Sequence, residues 1–371
     1  MTRRADVAVI GAGIVGLSTA EALVRGGVRV VCRRDGGLPG NGQSAGRSRG
    51  FRHLHGDPAL TRLSLESRQA WRRLEERAGA ELLERGGSVR LGSDAEPEIA
   101  ALREAGVDAR VLSPAEAEAR MPWLSREAGP LLYEDGGGAM RARAAVGALT
   151  SLLGDVVVRA RVEAIDPAPG FDGVRLGTSA GPVDCERCVV CAGTGTERLV
   201  APLGIEIARE RRAALRLTFP VRTPAGGAHA PVWADLSGRF GEMAYGAPDG
   251  PGRYAIGLNE TTPPLGGPST EAVPGGVDVR DARRRLVAYV RAAFPGLDPH
   301  PVNAVFRLTA ALHGLGDDAF GLWRRDRVLA FAGHNLFKHA PRLGELIADA
   351  ALGAPAHPVL TAAIADRDPG A

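Results

Sequence analysis

Lysine is almost absent from this chain. Lysine and arginine together number 46, and Lys338 is the single lysine among them. Where arginine serves wherever a surface cation suffices, a surviving lysine points to a role for a compact, rotatable ammonium rather than a planar fork. Chance survival is the competing reading. Long apolar runs are missing too. No run reaches the ~18 residues of a membrane span, and the N-terminal stretch carries no signal-peptide core. A cytoplasmic protein with no membrane partner is therefore expected. Charge imbalance is slight, at +3, which speaks against a nucleic-acid partner. Cysteine is scarce: Cys32, Cys185, Cys188 and Cys191. The last three have C-x-x-C-x-x-C spacing, but Val189 and Val190 place them in a buried strand whose alternate residues face opposite ways. No second cluster completes a structural metal site, so the cysteines read as core filler and no metal is expected. Repeats and low-complexity segments are also lacking. The ordinary 44% hydrophobic and 24% charged content fits a soluble globular chain long enough for two domains.

The informative stretch is Asp6 to Asp35. Val7 to Ile10 reads as a buried parallel strand. Gly11-Ala12-Gly13-Ile14-Val15-Gly16 follows with G-x-G-x-x-G spacing, then a helical pattern from Leu17 to Arg25 and a second strand from Val28 to Cys32. That context turns the motif into a dinucleotide-binding βαβ unit. Gly11 permits the tight turn, Gly13 lets backbone approach a pyrophosphate, and Gly16 lets helix pack on strand. The helix N-terminus offers N–H groups and a positive dipole end to phosphate. The second strand of such a unit ends in an acid that holds ribose hydroxyls, about 20 residues beyond the glycines. Arg34 stands at that place, with Asp35 one step later. Arg33 and Arg34 also leave open a 2′-phosphate, as in NADP-binding proteins.

Gly36 to Gly46 reads as a glycine-rich loop and Pro58 to Glu76 as an amphipathic helix. Between them lie Arg47, Arg49 and Arg52, read either as an approach to anionic groups or as a solvated basic face. Gly86 to Leu91 reads as a strand, Pro97 to Gly106 and Ala142 to Leu153 as helices, and Val156 to Ile165, Val174 to Leu176 and Val183 to Cys191 as strands. Ala192-Gly193-Thr194-Gly195 forms a second glycine turn. Alternation over Ala213 to Phe219, Pro231 to Ala234, Met243 to Gly246 and Arg253 to Leu258 predicts an antiparallel sheet. Pro263 to Gly276 is a Pro/Gly-rich loop, Val279 to Phe294 a helix and Val302 to Leu308 a strand.

Ser44-x-Gly46-x-Ser48-Arg49-x-Phe51-Arg52-His53, at this distance behind the glycines, resembles the sarcosine oxidase and N-methyltryptophan oxidase group of the D-amino-acid oxidase superfamily. The C-terminal run Ala332-Gly333-His334-x-x-Phe337-Lys338, with Pro341, Gly344 and a helix from Glu345 to Leu352, resembles that family's closing flavin-binding segment. The resemblance implies a mixed α/β (α+β) fold, in which a Rossmann-type FAD-binding domain is interleaved with an antiparallel-sheet substrate domain. The flavin domain would comprise 1–85, 142–205 and 325–371, and the substrate domain 86–141 and 206–324. It implies FAD held by Gly11, Gly13, Ile14, Gly16, Arg34, Asp35, Ser44, Gly46, Ser48, Val162, Ala192, Gly193, Gly333, His334, Phe337 and Lys338. The implied reaction is oxidation of a C–N bond in an amino acid or N-substituted amino acid, with the imine product hydrolysed.

Arg52 and Lys338 match the family's carboxylate-binding pair, a fork plus a point charge. Arg49 matches an arginine beside the flavin ring, and Tyr245 lies where the family places aromatics over the substrate. Ala45 replaces a histidine. Three departures stand out: Phe306 where the family often has the cysteine that tethers flavin, so that FAD is noncovalent; Ala255 where the oxidases have a lysine that promotes reaction with dioxygen; and Arg34 at the ribose. Three readings follow: an amine- or amino-acid-oxidising flavoenzyme using dioxygen or another acceptor, a flavin catalyst of atypical chemistry in a biosynthetic pathway, and a redox-inert or NADP-binding scaffold.

Overall fold

The computed structural model describes residues 3–55, 57–92, 95–222, 229–258, 279–312 and 318–361. Strand β1 (Arg3–Ile10), helix α1 (Ile14–Arg25) and strand β2 (Val30–Arg34) build the expected βαβ unit. Parallel pairing joins β1 to β2 on one side and to Val183–Val190 on the other. The latter strand pairs antiparallel with Val174–Thr178 over its first part and parallel with Val328–Gly333 over its last. A strand so placed at a sheet centre is apolar on both faces, and Val7, Ala8, Val9 and Ile10 are all buried.

The second strand of the unit starts and ends two residues later than the charge pattern indicates. Cys32, Arg33 and Arg34 pair with Val157, Val158 and Arg159. The backbone ladder thus carries the strand through residues that look like its end. The run from Val156 to Ile165 is likewise two strands, Val157–Arg159 and Val162–Pro167, at opposite ends of the pairing order. The chain turns between them at Ala160, whose N–H donates to the Arg34 carbonyl at 3.0 Å.

A second eight-stranded sheet runs in the order Asn303–Leu312, Arg209–Pro220, Arg253–Leu258, Ala244–Pro248, Val232–Asp235, Ser88–Leu91, Leu131–Glu134, Ala109–Val111. The strands between Arg209 and Leu258 pair antiparallel with one another, as their alternation predicts, and Val232–Asp235 also runs parallel to Ser88–Leu91. That parallel pair arises where strands distant in sequence meet and no hairpin sets direction. Helix Val279–Ala293 covers this sheet, burying Tyr289 and Val290 with Trp233, Tyr254 and Phe294. The Pro263 to Gly276 loop lies outside the described residues.

Strand β3 (Ser48–Phe51) and helix α2 (Pro58–Ala78) join the two halves. β3 pairs with Gly138–Arg141, which also pairs with Leu83–Glu84. Asp57 caps α2 by accepting from Ala59 N at 2.7 Å, Pro58 occupies the first turn, and Gly79 ends it at φ +60°. That follows the usual start and stop chemistry. The helix expected from Glu345 runs Ala340–Ala351, starting five residues earlier because Pro341 fits its first turn. Gly344 lets it lie against α1: a Cβ there would meet Ser18 backbone at 2.5 Å.

Candidate active site

A cavity of about 1100 Å³ runs from the glycine turn to the second sheet. At its nucleotide end Gly11 has φ +114°, and a Cβ would stand 2.3 Å from the Cys191 carbonyl oxygen. A Cβ on Gly16 would stand 2.0 Å from the Gly11 oxygen, so both positions require glycine. At Gly13 a Cβ would meet only Ser44 Oγ, at 3.4 Å, which leaves that face of the turn open. Ile14 N–H, the first of α1, donates to Ser44 Oγ at 3.0 Å, so Ser44 caps the helix from across the loop. Open backbone at a helix N-terminus fits a pyrophosphate. Val162, Ala192 and Gly193 line the same end. Gly16, Gly46 and Ser48 do not line the cavity: Gly16 packs behind Gly11, and Ser48, the first residue of β3, is buried.

Arg34 and Asp35 line the cavity where the ribose acid is expected. The Arg34 guanidinium donates to the Gly37 carbonyl, tying strand end to loop. Asp35 is exposed and accepts from its neighbour Gly36 N–H at 2.7 Å.

At the other end Gly333, His334, Phe337 and Lys338 line the cavity beside Arg49 and Arg52. A Cβ on Gly333 would meet Phe320 Cβ at 2.4 Å. Phe337 stacks on Trp71 with ring centroids 6.1 Å apart, and Trp71 Nε1 donates to the Lys338 carbonyl at 2.8 Å. The Arg49 guanidinium lies 5.5 Å from the Phe337 ring centre and donates to the Gln43, Ala45 and Ser48 carbonyls. It therefore clamps the glycine-rich loop as well as facing the cavity.

Lys338 is buried, and its Nζ lies 3.1 Å from Asp318 Oδ1. Asp318 Oδ2 lies 3.2 Å from His55 Nδ1 and 3.5 Å from Arg52 NH2. One internal carboxylate is thus held by an ammonium, a guanidinium and an imidazole. Burial, then Arg52, push the Lys338 ammonium down to about 8 against the pull of Asp318. Burial opposes ionisation of Asp318, yet Lys338, His55 and Arg52 together hold it well below the usual carboxylate range. Burial lowers His55 to about 4, which keeps it neutral near pH 7. His339, behind it, is held well below its ordinary value by burial and by Lys338.

The second sheet supplies Tyr245, whose ring covers Gly257: a Cβ there would meet the ring at 2.6 Å. Arg49, Arg52, Tyr245 and Lys338 therefore share one cavity. Phe306 lines it and carries no nucleophile, while Ala255 is buried opposite Thr218.

The model of the FAD dependent oxidoreductase family (DAO) matches residues 6–350. The chain belongs to that family. It is an FAD-dependent enzyme, and the glycine turn and the Gly333–Lys338 segment line one cavity. No curated protein matches the chain. Among solved structures it is similar to NikD, described as an unusual amino acid oxidase essential for nikkomycin biosynthesis, at 25% identity, TM-score 0.83 and 96% of each chain. It shares its fold with glycine oxidase from Geobacillus kaustophilus, at 22% identity and TM-score 0.77, covering 98% of this chain and 100% of that one. L-proline dehydrogenase from P. horikoshii gives 19% identity and TM-score 0.80, covering 97% and 96%. No helix among the described residues is long and apolar enough to cross a membrane.

Sequence reasoning missed Asp318, Arg216 and Asp249. Asp318 has no local signal beyond the acidic pair Asp317-Asp318. Arg216 did leave one: it sits between Leu215 and Leu217 on a strand where Leu217, Thr218 and Phe219 are all buried. An arginine on a strand apolar on both faces needs a buried partner or a ligand.

Proposed function

We propose that this flavoenzyme oxidises the C–N bond of an amino acid or N-substituted amino acid, with Arg52 and Lys338 receiving the substrate carboxylate. The carrying observation is Asp318. The ammonium and the guanidinium at the cavity end already converge on one carboxylate, so they have the charge and spacing to take another. Bound FAD supplies the hydride acceptor. The chain's own residues bind and orient: Arg52 and Lys338 fix the carboxylate, Tyr245 covers the substrate from the sheet, and burial of Lys338 keeps its charge from being screened by water. Likeness to NikD, an amino acid oxidase of a biosynthetic pathway by its description, supports both the substrate class and a biosynthetic role.

An electron acceptor other than dioxygen has one observation in its favour. Ala255, buried among the sheet strands, offers a methyl where the oxidases the chain resembles have a lysine.

Lys338→Met tests the carboxylate role. Flavin content should stay as in the parent while anaerobic bleaching of the flavin by amino acids is lost. Bleaching at the parent rate in the flavin-loaded variant would sink the assignment.

A further inference from the structure

Arg216 is a buried cation with no ion pair among the described residues. It is 6% exposed and lines the cavity. Its NH1 donates to the Ser48 carbonyl at 2.7 Å and its NH2 to Ser48 Oγ at 3.4 Å, while Nε has no acceptor. The acid nearest by hydrogen bonds is Asp249, one hydroxyl away and already engaged by Ser48 Oγ at 2.9 Å and Thr218 Oγ1 at 3.0 Å. The same Ser48 carbonyl accepts from Arg49 NH1 at 2.7 Å. Two guanidinium groups therefore meet on one oxygen. Like charges held so close out of water are costly, and an anion in front of them offsets that cost.

Two sources of that anion are chemically equivalent: a second acidic group on the substrate, or the flavin ring, which gains negative charge on reduction. The surroundings favour the ring. Arg49, which shares the Ser48 carbonyl with Arg216, lies over Phe337 in the segment after Gly333, while the Arg216 guanidinium itself lies over the Tyr245 ring, 5.9 Å from its centre. The cations proposed for the substrate carboxylate, Arg52 and Lys338, stand apart from this pair, at Asp318. Arg216 pairs with Gly257 and Thr218 with Ala255, so Arg216 and Ala255 share one face of the sheet.

We propose that Arg216 is an electrostatic partner of the flavin ring, stabilising the negative charge the ring gains on reduction. Strand Arg209–Pro220 thereby carries the cation that strand Arg253–Leu258 lacks. The inference rests on FAD binding and not on the amine substrate, so it fails or stands apart from the proposed reaction.

The test uses flavin-loaded Arg216→Met and Arg216→Lys, with two readouts that need no turnover: sulfite titration of the flavin absorbance and the two-electron midpoint potential. Arg216→Met should weaken sulfite binding at least tenfold and lower the potential by about 30 mV or more, since tenfold corresponds to about 30 mV for two electrons. Arg216→Lys should stay within about threefold of the parent. An unchanged potential and sulfite affinity in the methionine variant would overturn the proposal. So would intact sulfite binding with a selective loss of glutarate over butyrate affinity, which assigns Arg216 to a second acidic group of the substrate. Should the methionine variant fail to hold flavin, Arg216→Gln is judged by the same criteria.

Discussion

Asp318→Asn is the most telling perturbation of the carboxylate end. Around Asp318 stand Lys338 at 3.1 Å, Arg52 at 3.5 Å and a neutral His55. An incoming carboxylate that also contacts Lys338 would sit roughly 5 Å from Asp318, and at an effective dielectric of ~20 their repulsion is roughly 3 kcal/mol. Asp318 is 25% exposed, so water removes part of that. We take ~1.4 kcal/mol as the retained value, a factor of about ten. At pH 6.5, where Lys338 is charged, benzoate should therefore bind the asparagine variant about tenfold more tightly, read from the flavin absorbance. The pH profile should move the other way. The charged ammonium is the binding form, so affinity is full below about pH 8 and is lost as pH rises through it. Asp318 raises that value while burial and Arg52 lower it, and His339 close by is neutral. Removing Asp318 thus lowers the alkaline limb by about one pH unit on the same energy. Equal limbs in the two proteins, with equal affinity at pH 6.5, would refute the reasoning.

Arg34→Glu should raise flavin occupancy on purification, because an acid at the end of β2 is suited to ribose hydroxyls. Lower occupancy in the variant would show that the Arg34 guanidinium contacts the cofactor favourably. Glu134 is 2% exposed and accepts from His53 N at 2.8 Å and Leu54 N at 3.2 Å. Burial pushes its carboxyl up to about 7 against those bonds. Between its ordinary value of 4.5 and about 7 the folded state holds a proton the unfolded state has lost, so stability falls as pH rises across that window. Glu134→Gln should flatten that part of the Tm profile, and an unaltered slope would assign the titration elsewhere.

The βαβ unit was legible because its signal is local: glycine spacing, an apolar strand and a helical period lie within a few turns of each other. Helix Ala142–Leu153 and strand Arg253–Leu258 have the expected bounds for the same reason. Register and direction were less legible. β2 runs on through Arg33 and Arg34 because Val157–Arg159 pairs with it, and Ser88–Leu91 runs parallel to Val232–Asp235. Both depend on contacts between segments far apart in the chain. The site divides along the same line. Arg49, Arg52 and Lys338 sit in motifs with recognisable neighbours, whereas Asp318 and Arg216 acquire meaning only from Lys338 and Ser48 beside them in space.

Charge around β3 ties these residues together. Arg49, Arg52, Arg216 and Lys338 line the cavity here, with Asp318 on Lys338 and Arg52 and Asp249 behind Ser48, while Arg90 in the same lining pairs with Glu98 and the nearby His55 is neutral. Further negative charge in front of such a partly buried set is stabilising. The proposed reaction brings two such charges: the substrate carboxylate at Lys338 and Arg52, and the charge gained on flavin reduction near Arg49 and Arg216. A simple amine without a carboxylate would supply only the second and leave the Lys338 end in excess. The electrostatics of the proposed site therefore favour amino acids over plain amines.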